Sequence, residues 1–119
     1  MPRSILCFVP VLLAVFGCER PLPQETDPAK GRETLKAALD TWVKGGAPAD
    51  LKPVVVSDPD WADGHKLTRY EIDPDDGRAG VDLLLKVKLT LQKKDGKTQE
   101  KQVNYVVGTN KQTVVLRYQ

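Results

Sequence analysis

The chain has 119 residues, room for one domain, and its 18 basic and 16 acidic side chains leave a net charge of +2. Such a balance excludes the strongly basic face that nucleic acid demands. Two cysteines, Cys7 and Cys18, are too few for a disulfide framework.

The N-terminus carries Arg3 and then an uncharged stretch, Ile5 to Phe16, interrupted by Pro10. It falls short of the about 20 residues that a helix needs to cross a bilayer. A basic flank, a short apolar run and a small residue before a cut form a signal-peptide pattern. The residues Val15-Phe16-Gly17-Cys18 resemble the lipobox of bacterial lipoproteins. Val15 stands where that family more often has Leu, and Phe16 where it has Ala or Ser. The resemblance implies cleavage after Gly17 and a diacylglyceryl group on the sulfur of Cys18. An ordinary signal peptide cut nearby, or a signal-anchor, is the alternative. Cleavage there removes Cys7 and leaves Cys18 as the sole thiol, with no internal disulfide to form. A lipid anchor would make the protein peripheral to a bacterial envelope membrane, facing the periplasm or exterior.

These readings divide the chain into a signal peptide over 1–17, a lipidated start and proline-rich linker over 18–31, and a domain over 32–119. In the linker, Glu19 to Lys30 contains Pro21, Pro23 and Pro28 without apolar periodicity. At about 3 Å per residue, a stiff chain of that length reaches roughly 35 Å.

Leu35, Ala38, Leu39 and Trp42 follow the spacing of one buried stripe and predict a helix over 32–44, ended by Gly45-Gly46. Segment 50–65 is irregular. Val54-Val55-Val56 reads as a short strand or a buried loop, and Asp58-Pro59-Asp60-Trp61 as a turn whose tryptophan caps the core. Beyond it, Val81 to Leu91 alternates apolar and polar residues and predicts a half-buried strand.

Register follows from keeping apolar residues on one face, because a slip of one residue flips every side chain. A three-residue loop with Gly96 left-handed pairs Leu89 with Lys101, Val87 with Val103, Leu85 with Tyr105 and Leu83 with Val107. A loop over Thr109–Gln112 pairs Val107 with Val114, Tyr105 with Leu116 and Val103 with Tyr118. A loop over Asp73–Gly80 pairs Ile72 with Val81 and Tyr70 with Leu83. The expected fold class is therefore α+β, with one N-terminal helix on a four-stranded antiparallel meander. Its element order resembles the cystatin-like and NTF2-like α+β rolls. The chain departs from them in lacking an evident strand before the helix and the extra helices of a pocket. Such folds host unrelated functions.

Candidate chemistry is sparse. Asp58, Asp60, Asp63 and His65 offer ligand atoms within eight residues, but a turn rich in Asp and Gly needs no metal. Asp73-Pro74-Asp75-Asp76-Gly77 starts like a calcium loop, yet Leu84 occupies the position where an acidic ligand belongs. Ser57 and His65 lack a nucleophile context, and no phosphate-binding glycine loop occurs. No metal, no cofactor and no catalytic residue is therefore expected. The register points Leu84, Lys86, Lys88, Asn104, Val106, Val115 and Arg117 outward as a mixed apolar and basic surface, suited to another envelope protein or a homodimer. The leading expectation is a non-enzymatic, lipid-tethered binding or structural module. The alternative is a ligand-binding or catalytic roll with a pocket between helix and sheet.

Overall fold

A computed structural model describes Leu22 and residues 24–118. Helix α1, Pro28–Val43, is followed by a 3-10 turn, Pro48–Leu51, strand β1, Val55–Ser57, and a single helical turn α2, Pro59–Ala62. Strands β2, Lys66–Ala79, β3, Asp82–Gln92, β4, Thr98–Gly108, and β5, Val114–Arg117, complete the chain. They form one five-stranded sheet in the order β1-β5-β4-β3-β2.

The fold differs from the expected four-stranded antiparallel meander. Its sheet is mixed, because β1 adds beside β5 in parallel, with Val55 opposite Val114 and Ser57 opposite Leu116. Helix and sheet are still segregated, but the likeness to cystatin-like and NTF2-like rolls does not hold. Of the two readings of Val54–Val56, the short strand is the observed one, at Val55–Ser57, but its pairing could not be placed, because a parallel partner far along the chain leaves no turn signature.

Helix α1 begins at Pro28, four residues before the expected start. Proline suits the first turn because its missing N–H has no helical partner there. The apolar stripe does not announce this turn, because its buried residue is Gly31. A Cβ at Gly31 would lie 2.5 Å from Leu83 Cδ2, so only glycine lets the helix approach β3 that closely. Ahead of the helix, the Thr26 N–H donates to the Val81 carbonyl at 2.9 Å, and Arg78 Nη1 donates to the Thr26 carbonyl at 2.8 Å. Gln24 exchanges two hydrogen bonds with the Asn110 side chain, at 3.0 and 2.9 Å. Among the described residues, hydrogen bonds to the sheet thus reach back to Gln24, well inside the stretch read as linker.

Between α1 and the inner face of the sheet, Leu35, Leu39 and Trp42 meet Leu83, Leu85, Val87, Leu89 and Val107 in one buried cluster. The β3–β4 register is the expected one, with Leu83 opposite Val107, Leu85 opposite Tyr105 and Val87 opposite Val103. Lys93 N–H donates to the Lys97 carbonyl at 2.8 Å, which leaves Lys94–Gly96 as the loop with Gly96 at φ +88°.

The flanking registers differ. β2 continues through the expected loop to a tight turn at Gly80, so Ile72 pairs with Val87 and Tyr70 with Leu89. The shift spans an even number of residues, so both side chains keep their expected face. An irregularity between Ile72 and Asp76 absorbs the acidic segment. It is held by Arg32, whose guanidinium donates to the Asp73 and Pro74 carbonyls at 2.9 and 2.6 Å. At β5 the slip is a single residue: Val115, not Val114, sits opposite Val107, and Arg117 opposite Tyr105. An odd slip reverses the faces. Val115 is buried in the core, and Arg117 points inward with its side chain only 8% exposed, so both leave the proposed outer surface.

Replacing Gly31 by Val should lower stability by about 1–3 kcal/mol through overpacking against Leu83. The urea unfolding midpoint measures this. An unchanged midpoint would contradict the close approach of α1 to β3.

Candidate functional site

The densest group of polar side chains lies where β1 and α2 meet β4 and β5. Alternation along β1 carries Asp58 inward after Val56. Asp58 then caps α2, and its Oδ1 accepts from the N–H groups of Asp60 and Trp61 at 2.9 and 3.4 Å. A side-chain cap of this kind contributes about 1 kcal/mol. The same oxygen accepts from Arg117 Nη1 at 2.7 Å, and the Tyr105 hydroxyl donates to Asp58 Oδ2. Asp60 Oδ2 accepts from Arg117 Nη2 at 2.7 Å and from Lys101 Nζ at 2.9 Å. His65 Nε2 stands 3.9 Å from Asp60 Oδ1, while its Nδ1 is buried without a partner.

Two carboxylates therefore meet two cations, and the guanidinium forks between both acids. Charge-assisted bonds of this length offset the cost of removing the groups from water. Burial by itself raises the Asp60 carboxyl, but hydrogen bonds from Arg117 and Lys101 outweigh it and hold the group below the usual carboxylate range. Burial, reinforced by the Asp58 charge, pushes the Tyr105 hydroxyl far up, so it stays a neutral donor. Next to the cluster, Trp42 and Trp61 stack with centroids 5.2 Å apart and planes 5° from parallel. Their indole N–H groups donate to the His65 and Gly46 carbonyls at 2.9 and 3.1 Å.

This arrangement binds β1 and α2 to the sheet and ties both acids to protein donors, with Asp60 held through its Oδ2. Asp58 and Asp60 are occupied by protein donors. Among the described residues no group of three His, Cys, Asp or Glu side chains could hold a metal ion. Ser57 sits at the opposite face beside Leu116, so it and His65 do not converge. Trp61 is buried, as a core cap should be.

Of the expected outer surface, Leu84, Lys86, Asn104 and Val106 share neighbouring rows of β3 and β4, and Lys88 lies one row further along. Leu116 takes the place assigned to Val115, beside Val106. Cys18 and the cleavage position after Gly17 lie outside the described residues. The ionic cluster was missed by the sequence reading, although Lys101 on the apolar face opposite Leu89 signalled that an inward cation required an acidic partner. No protein-family model matches the chain, and no curated protein or solved structure matches it either.

Replacing Arg117 by Met should destabilise the protein by about 3–5 kcal/mol, because it leaves the buried Asp58 without a cation and Asp60 with Lys101 alone. Denaturant unfolding monitored by tryptophan fluorescence reads this cost. A loss below about 1 kcal/mol, the level of a surface pair, would contradict a buried cluster.

The same cluster sets an acid limit. Asp60 in the unfolded chain titrates near 4, and in the fold at a lower value. Its stabilising contribution is therefore complete above about pH 4 and fades as pH falls through the folded value. Unfolding measured from pH 6 to 2 should show a steep loss below about pH 4 that Asp60→Asn flattens.

Proposed function

We propose that this chain is a bacterial cell-envelope lipoprotein, a binding or structural module rather than an enzyme, held at a membrane through Cys18. The observation that carries the reading is the order of its N-terminal residues: Arg3, the uncharged Ile5–Phe16, Gly17 and then Cys18. A lone thiol at the start of a secreted chain has no disulfide partner, and lipidation gives it a role. Two features of the domain support a non-catalytic role. The space between α1 and the sheet is filled by aliphatic side chains and Trp42. The polar groups most able to do chemistry, Asp58, Asp60, Tyr105, Lys101 and Arg117, bind one another. A catalytic site instead requires groups that converge on a space open to substrate.

Mass spectrometry of the protein taken from membranes should find an N-terminal Cys18 carrying a diacylglyceryl mass. A mature terminus at another residue, or an unmodified Cys18, would overturn the reading.

A further inference from the structure

The outer face of the sheet is divided into two halves. Toward the β2–β3 and β4–β5 turns, its rows read Val55, Val114, Gly108, Asp82 and Ala79, then Ser57, Leu116, Val106, Leu84 and Gly77. Apart from Asp82 these are small or apolar. The next row carries Lys86 with Asn104, and toward the other end the rows carry Lys88 with Gln102, and Thr90 with Glu100. Of the large apolar residues exposed among those described, Val55 at 42% and Leu116 at 38% lie in the first half, Tyr118 at 60% stands at its boundary beside Asn104, and Val43 lies on α1. Val55 and Leu116 lie on adjacent strands in adjacent rows, a small apolar area that an interface would cover.

The chain itself leads to this half. Gln24 is pinned to Asn110 in the β4–β5 turn, beside Gly108 and Val114, and Thr26 to Val81 in the β2–β3 turn. Only Glu19 to Pro23 separate Cys18 from Gln24. Chain geometry limits that separation to about 20 Å, rather than the roughly 35 Å allowed by a linker reaching Lys30. Within this short stretch Leu22 is apolar and 82% exposed. The charged groups around the pinned end, Glu25, Asp27, Asp82 and Lys111, are three acids to one base, so electrostatics gives no attraction to an anionic surface and the contact must rest on apolar burial.

Together with the lipid anchor proposed above, on which it rests, this geometry points to the lipid interface as the occupant of the apolar half. We infer that the domain lies against the bilayer through Val55, Leu116, Tyr118 and Leu22. The charged half of the sheet then faces away, where Lys88 and Glu100 meet water.

The test uses the chain from Cys18 to Gln119, which contains every element of the core. Its single thiol is coupled to a maleimide lipid in phosphatidylcholine vesicles with brominated acyl chains. The added indole of Tyr118→Trp should be strongly quenched, and that of Glu100→Trp, on the charged half, should not be, each measured against the parent chain. Adding Leu116→Asp to Tyr118→Trp should remove the quenching while far-UV circular dichroism stays unchanged. Equal quenching at the two positions, or none at either, would overturn the inference. Cross-linking between copies through the Leu116 face without quenching would overturn it in favour of a dimer. Because the maleimide lipid replaces any native one, the two readings fail separately. An acylated native Cys18 with no quenching difference overturns the surface alone. An unmodified native Cys18 with clear quenching at Tyr118→Trp overturns the anchor alone.

Discussion

The inward guanidinium of Arg117 constrains the rest of this sheet. Placed between two buried carboxylates, it fixes β5 in one register, because a one-residue slip would expel it, leaving Asp58 without a cation and Asp60 with Lys101 alone. It also fixes β1, since Asp58 continues the inward alternation of a strand too short to hold itself by backbone bonds. The same aspartate caps α2, which turns Trp61 back onto Trp42. One side chain thus couples an edge strand, a helical turn and the aromatic end of the core.

The hydrophobic effect alone favours a different answer at β5. Val114, Leu116 and Tyr118 would bury more apolar surface than Val115 and Arg117, and a reading based on face alternation chooses them. The observed register instead satisfies the polar groups, including the Tyr105 hydroxyl, which has a buried acceptor only if Asp58 is delivered beside it. An unsatisfied buried donor or acceptor costs about 1–3 kcal/mol, and a stranded charge costs more. These penalties are large enough to outweigh the gain from exchanging one apolar pair. The exchange also leaves Leu116 on the outer face, where it joins Val106 and Leu84.

How legible each part was depended on the distance along the chain between partners. The β3–β4 hairpin could be placed residue by residue, since a short loop with a left-handed Gly96 and strict alternation allow one register. Helix α1 could be recognised from Leu35, Ala38, Leu39 and Trp42, but not its first turn, where a buried glycine takes the place of an apolar side chain. The β2 register hid behind an acidic segment that looks like a loop and is instead held along the edge by Arg32. The ionic cluster draws on residues from Asp58 to Arg117. Its only sequence trace was a lysine on an apolar face.

What the sequence by itself determined is local: the N-terminal order ending in Gly17-Cys18, the amphipathic helix, and the alternating strands with the turn between β3 and β4. These follow from periodicity, turn chemistry and residue types at short spacing. Only the tertiary structure decided the parallel pairing of β1 with β5, the inward face of Arg117 and the docking of Gln24 on the β4–β5 turn. Each depends on a partner distant in sequence: β5 for Val55, Asp58 for Arg117 and Asn110 for Gln24. Pairing energies of that kind are set by the three-dimensional position of both groups, which no local pattern encodes.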